Sequence, residues 1–126
     1  MPLARIDLPS GHSAEYRAAV GEVVYTAMLS ALKVPQNDRF QVIVEHSGGD
    51  LVINPEYLGI QRSSAAVVIQ VTLNEGRTLE AKRAFYKALA DALHERVGLR
   101  REDILINLVE VKKENWSFGN GEAQYA

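Results

Sequence analysis

The hydrophobic and polar positions of this chain follow two periods in turn, and the sequence of periods occurs twice. "PLARIDL" (residues 2–8) and "AAVVIQVTL" (residues 65–73) are short runs of strand-forming residues. Each leads into a glycine turn and a residue suited to cap a helix, Ser13 or Thr78. Glu15 or Glu80 follows in the first turn, where the helix dipole favours a carboxylate. Apolar residues then recur at helical spacing: Tyr16, Val20, Val23, Val24, Ala27, Met28, Ala31 and Leu32 in one stretch. Ala81, Phe85, Leu89, Ala92, Leu93 and Val97 do the same in the other. Each helix gives way to a second strand, "RFQVIVEH" or "DILINLVEV".

A shift of 65 positions lays one half on the other without a gap. Leu8 meets Leu73, Gly11 meets Gly76, Ala19 meets Ala84 and Asp38 meets Asp103; Val44-Glu45 meets Val109-Glu110. A fixed offset with a matching pattern of elements is the mark of an internal repeat. The expected organisation is one domain over residues 1–126. It comprises β-α-β units at about 2–46 and 66–111, a connector at 47–65 and a terminal segment at 112–126. A helical crossover makes the two strands of each unit parallel. The fold class is therefore α+β: a four-stranded mixed sheet with two helices on one face. Strands such as "AAVVIQV" and "ILINLVEV" are apolar on both faces, so the uncovered face predicts an oligomer. The connector is long, and it reads either as a tether or as a functional loop.

Composition narrows the chemistry mainly by exclusion. With 126 residues, 47% of them hydrophobic, and a net charge of −2, the chain has neither the basic character of a nucleic-acid binder nor that of a protein recruited to acidic membranes. It contains no cysteine, which removes disulfides, thiol catalysis and thiolate metal sites. His12, His46 and His94 lack ligand spacing, so no metal site is expected. No secretory pattern or membrane-length apolar run occurs, and a cytoplasmic location is the expectation.

One position invites a chemical reading. Pro2 follows Met1 directly. A proline suits the first position of a strand, because it cannot donate to a ladder. If Met1 is removed, however, Pro2 carries a free secondary amine that can act as acid, base or nucleophile.

Pro2, the doubled β-α-β pattern and the arginine of "NEGRTLEAKR" (Arg77) together resemble the tautomerase superfamily, whose members use an amino-terminal proline. "VPQNDRFQ" and the closing "NWSFGNGEAQY" look like malonate semialdehyde decarboxylase and its relatives, and the resemblance spans the chain. It implies a catalytic Pro2, a catalytic Asp38, a substrate-binding Arg77 and an apolar wall of Trp116, Phe118 and Tyr125. It also implies a homotrimer, a small carboxylate substrate and no cofactor. Some decarboxylases of this kind carry two arginines in the turn, whereas here Arg77 stands alone behind Asn74, Glu75 and Gly76. The catalytic histidine that related dehalogenases have in the first helix is missing from "VVYTAML". Arg62 and Glu114 are further candidates, the first at a recurrent family position and the second as a carboxylate able to activate water.

These residue types suit decarboxylation of a 3-oxo acid. Arg77 can hold the carboxylate in a bidentate pair. Protonated Pro2 can polarise the carbonyl, or neutral Pro2 can add to it as an iminium-forming nucleophile. The alternative is a keto-enol tautomerase of a 2-oxo acid with Pro2 shuttling the proton. Asp38 favours the protonated amine, whereas Arg77 and burial oppose it. A third reading is a non-catalytic oligomeric module of the same fold. Each candidate also has a plain structural role: Asp38 as a turn residue like Asp103, Arg77 as a solvated charge, Trp116 and Phe118 as packing.

Overall fold

The computed structural model of the chain describes residues 2–126; Met1, whose removal the proline chemistry requires, lies outside the described residues. Strand β1 (Leu3–Pro9) is followed by helix α1 (Ala14–Ala31) and β2 (Phe40–His46). The connector carries a small hairpin, β3 (Glu56–Tyr57) and β4 (Ile60–Gln61). Then come β5 (Val67–Asn74), helix α2 (Leu79–Val97) and β6 (Ile104–Val111). The main sheet has the order β2-β1-β5-β6. β1 is parallel to β2 and β5 to β6, while β1 and β5 meet antiparallel at the centre. This is the mixed four-stranded sheet expected from the pattern.

The two-residue period of the strands divides the sheet into two faces. Ala4, Ile6 and Leu8 of β1 and Val67, Ile69, Val71 and Leu73 of β5 are buried under the helices. Val20, Val23, Val24, Ala27 and Met28 of α1 and Phe85, Leu89 and Leu93 of α2 meet them. Each such valine, leucine, isoleucine, methionine or phenylalanine side chain contributes roughly 1.5–3 kcal/mol on burial. On the opposite face Leu3, Phe40, Val42 and Val109 remain exposed. Its middle carries Arg5, Asp7 and His46, joined through Arg5 Nε–Asp7 (3.1 Å) and His46 Nε2–Asp7 (2.6 Å). Burial alone would raise the Asp7 pKa, but hydrogen bonds from His46 and Arg5 outweigh it and hold the carboxyl below 3.8.

Several bonds recur in both halves at the 65-residue offset. Ser13 Oγ accepts from the Tyr16 N–H and Thr78 Oγ1 from the Ala81 N–H, both at 3.1 Å, which satisfies a free amide at each helix start. The Ser10 N–H donates to His46 O and the Glu75 N–H to Val111 O, both at 2.9 Å. Arg17 pairs with Glu45 as Lys82 pairs with Glu110. At the helix ends, Val34 N–H reaches Met28 O and Leu99 N–H reaches Leu93 O. The left-handed position this closure requires is Gly98 in one copy (φ 75°) and Lys33 in the other (φ 56°). Among the described residues no helix is long and apolar enough to cross a membrane.

Candidate active site

The topology sends six chain ends to one edge of the sheet. β1 and β2 start there because they are parallel, and β5 and β6 end there because β5 opposes β1. Helix α1, which returns across the sheet, finishes at the same edge, and α2 begins there. Residues far apart in sequence are thereby brought together around the start of β1.

Pro2 is buried at this edge and forms part of a cavity of about 220 Å³. Its other lining residues are Leu3, Phe40, Trp116, Ser117 and Phe118. Such a volume lies below the roughly 300–1,000 Å³ of drug-sized sites and suits a molecule of a few carbons. Phe40 enters because β1 and β2 are in register Leu3↔Phe40. The aromatic wall is layered: Trp116 and Phe118 stack with ring centres 5.5 Å apart, and Tyr125 meets Phe118 edge-on at 5.1 Å. Tyr125 does not line the cavity; it backs Phe118. The terminal segment is folded onto itself by Gln124, which accepts from the Phe118 N–H (2.9 Å) and donates to Gly119 O (2.8 Å).

Arg77 sits beside this cavity rather than in its wall. Its Nε donates to Leu32 O (3.2 Å), the last carbonyl region of α1, and its Nη1 donates to Asn74 O (3.1 Å). A cation at a helix C-terminus is favoured by the dipole. Two of the five guanidinium N–H groups are thus used, one on Nε and one on Nη1, and both on Nη2 are outside these two bonds. The turn that carries Arg77 is braced by Glu110, which accepts from Lys82 Nζ (2.7 Å) and the Gly76 N–H (3.3 Å). The Lys82 hydrogen bond, with help from Gly76 and Arg77, holds the Glu110 carboxyl below its usual range. Gly76 at φ 117° gives that turn a conformation other residues rarely adopt.

Asp38 lies in the turn before β2, and the register of β1 with β2 sets this turn beside the start of β1. Its N–H donates to Pro35 O (3.2 Å), and its Oδ1 is shielded from solvent. The turn is anchored to α1 by Tyr25, whose hydroxyl accepts from the Asn37 N–H (2.9 Å), and by the Arg39–Glu22 pair (2.8 Å). Its repeat partner behaves differently. Asp103 is fully buried and accepts from the Ser63 N–H (2.7 Å) and hydroxyl (2.5 Å), which makes it a structural clamp on the connector. Arg62 lies in the connector next to that clamp, remote in sequence from the Pro2 edge, and Glu114 is exposed in the short turn after β6. Among the described residues no cluster of three or more metal-ligating side chains occurs.

Sequence reasoning passed over two members of this edge. Asn74 Oδ1 accepts from the Trp116 indole N–H at 2.8 Å while Asn74 O holds Arg77, so one residue ties the aromatic wall to the guanidinium. Phe40 was the other. The strand register, which follows once the β-α-β unit is placed, was the available signal for Phe40; the Asn74 link depends on how the terminal segment folds back and had none.

Comparison with known proteins agrees with this layout. Family profiles described as "Tautomerase enzyme" match residues 38–119 and, separately, 2–61. "Probable tautomerase YusQ" of Bacillus subtilis (strain 168) is 36% identical over 124 residues, 98% of each chain. The crystal structure of FG41 malonate semialdehyde decarboxylase inhibited by 3-bromopropiolate is 38% identical, with a TM-score of 0.90 over 98% of this chain and 93% of that one. A second malonate semialdehyde decarboxylase, described with decarboxylase and hydratase activities, is 36% identical at a TM-score of 0.89 over 98% and 95%. The match extends through both β-α-β units and the terminal aromatic segment, and on that ground the chain is an enzyme of the tautomerase superfamily.

Proposed function

We propose that this enzyme decarboxylates a small 3-oxo acid of the malonate semialdehyde type, using the amine that Pro2 acquires when Met1 is removed. The observation that carries the reading is the small apolar cavity around Pro2 with Arg77 at its side, in a chain 36–38% identical to two malonate semialdehyde decarboxylases. Arg77 takes the substrate carboxylate on the guanidinium N–H groups not given to Leu32 and Asn74, and the protonated Pro2 amine donates to the carbonyl oxygen. The carboxyl C–C bond breaks, its electron pair moves onto the polarised carbonyl as an enol, CO2 leaves, and a proton returns to carbon. Asp38 favours the cationic amine, and the Trp116–Phe118 wall limits water. The apolar residues exposed on the open sheet face call for cover by other subunits, and a homotrimer is the assembly proposed.

A second reading, proton transfer between keto and enol forms, is favoured by the curated relative being named a probable tautomerase. It uses the same residues with Pro2 neutral. The deciding experiment measures CO2 release from malonate semialdehyde and enol-keto exchange of phenylpyruvate side by side. Protein whose intact mass shows Met1 removed is compared with Pro2→Ala. Decarboxylation that collapses in the variant is the expected result. Proline-dependent exchange without CO2 release would replace it with the tautomerase reading, and silence in both assays would overturn both.

A further inference from the structure

The bonds common to both halves build the fold: helix caps, strand-end amides and charge pairs recur at the 65-residue offset. One pair of bonds at the Pro2 edge does not recur. Asn74, the last residue of β5, takes the Trp116 indole N–H on its side chain (2.8 Å) and an Arg77 N–H on its main-chain oxygen (3.1 Å). At the offset, Asn74, Arg77, Trp116 and Phe118 correspond to Pro9, His12, Leu51 and Ile53. Proline has no side-chain acceptor and leucine no donor, so the link cannot form at the other end of the sheet. There Pro9, Leu51 and Ile53 line a separate cavity of about 440 Å³. The Asn74 bonds therefore belong to the end that holds Pro2, and the plan shared by the two halves does not need them.

The terminal segment 112–126 depends on this link for its place. Its other hydrogen bonds are internal, from Asn115 to Lys112, Trp116 to Lys113 and Glu122 to Gly119 in the main chain, and from Gln124 to Phe118 and Gly119. Among the described residues, the Trp116–Asn74 bond is the one hydrogen bond that joins the segment to the strands and helices. Apolar contact does the rest, as where Phe118 meets Phe40 with ring centres 6.3 Å apart. Such contact is non-directional, whereas the indole has a single polar group, and one bond to it fixes how the ring is turned. So held, the indole lies within 12° of parallel to the Phe118 ring, and both rings line the cavity with Pro2. Asn74 is itself fixed by the sheet: it pairs with Val111, and the next amide, Glu75, donates to Val111 O (2.9 Å). A support carried on a strand is more precise than one carried on a loop.

We propose that Asn74 is a positioning residue for the Pro2 cavity: its side chain sets the Trp116 indole in the wall while its main-chain oxygen holds the Arg77 guanidinium, so that one strand end places both. The proposal rests on the Pro2 cavity being the active site, and not on whether the reaction there is decarboxylation or keto-enol exchange. The two ties separate by substitution. Any residue at position 74 keeps the main-chain oxygen for Arg77, but only a well-placed side-chain acceptor keeps the indole. Loss of that acceptor should lower kcat, through a wall that admits water as charge moves, and leave KM near that of the parent.

The test joins spectroscopy to kinetics on the full chain with Met1 removed, in the CO2-release or enol-keto assay in which the parent is active. Trp116 is the one tryptophan of the chain, so indole fluorescence reports this ring alone. In Asn74→Ala the emission should move to longer wavelength and acrylamide should quench it more readily. Its kcat should fall about 2- to 12-fold, the equivalent of one neutral hydrogen bond. Asn74→Gln, which displaces the acceptor by one carbon, should show the same losses and serves where alanine destabilises the end of β5. Asn74→Asp keeps an acceptor in place. It should keep the parent emission and most of kcat but raise KM, because its charge competes with the substrate carboxylate for Arg77. In a Trp116→Phe background the donor is gone, and Asn74→Ala should then change kcat by less than about twofold. Parent kcat in Asn74→Ala or Asn74→Gln, losses that multiply in the double variant, or an unchanged indole emission would each overturn the positioning role alone. A parent silent in both assays would overturn it together with the catalytic reading of the cavity.

Discussion

Removing the Arg77 guanidinium should produce two losses of different size that separate in a single series of variants. In Arg77→Ala the Leu32 and Asn74 carbonyls lose charged donors at 3.2 and 3.1 Å. A hydrogen bond to a charged group is worth about 1.5–3 kcal/mol when protected. Arg77 is half-buried, and solvent reaches both carbonyls once the side chain is gone, so a total near 2 kcal/mol is expected. That is a visible shift of a urea unfolding midpoint without change of slope. On the proposed reading the loss of a partner for the substrate carboxylate is larger: truncating a hydrogen-bonded charge pair costs about 2–5 kcal/mol, or some 30- to 5,000-fold in kcat/KM. Arg77→Lys keeps a charge at the end of α1 but not the fork. It should recover about half the stability while kcat/KM stays low. The reasoning fails if Arg77→Ala unfolds at the unchanged midpoint, which would refute the carbonyl bonds. It fails equally if Arg77→Lys restores turnover along with stability, which would mean that a point charge suffices.

Three further outcomes are expected. Ser63→Ala removes the hydroxyl partner of fully buried Asp103 and should destabilise the fold by about 1–3 kcal/mol in chemical denaturation, with Pro2-dependent turnover per folded molecule unchanged. Lys33→Gly relieves a left-handed lysine (φ 56°) at the position where the other copy has Gly98, and a gain of roughly 0.5–1 kcal/mol should appear as a raised Tm. Because the Asp7 pKa is depressed in the folded chain, its ionised form stabilises the fold at pH values above the unfolded value near 3.8. That contribution should be lost as pH falls through the lower folded value. Asp7→Asn should therefore flatten the stability curve between about pH 5 and 2, and an unchanged acid limb would contradict the Asp7–His46–Arg5 network.

The elements of this fold were legible because local and global signals agree. Ser13 and Thr78 cap the helices they precede in sequence, and the apolar spacing of Val20, Val23, Val24 and Ala27 is the buried face of α1. Periodicity reports which face of an element is covered, so the strands of the sheet and both helices could be placed from it. The site was legible only in parts. Pro2, Trp116 and Phe118 do share one cavity, but they do so because β1 opposes β5, a pairing that no local pattern encodes. Asn74 was invisible for a similar reason: its contact with Trp116 joins residues 42 positions apart through a segment without regular structure. Asp38 and Asp103 show the limit most clearly. They are the same residue type at the same place in the repeat, yet Asp103 is fully buried against Ser63 while Asp38 is half-buried in the turn beside the start of β1, a difference that neither residue's local sequence shows.

The central antiparallel seam between β1 and β5 means that each cavity draws on both copies. Pro2 and Phe40 come from the first copy and Trp116 and Phe118 from the segment that follows the second, while at the far end Ala66 opens the second copy and Leu51 and Ile53 belong to the connector that follows the first. A half-length chain would have to pair with another of itself to complete either cavity, and every substitution would then strike both at once. In the joined chain a change at Trp116 is invisible to the far cavity and a change at Leu51 is invisible to the near one. Joining the copies in one chain removes that constraint, so the two ends of the sheet carry different residues, Trp116 and Phe118 at one and Leu51 and Ile53 at the other.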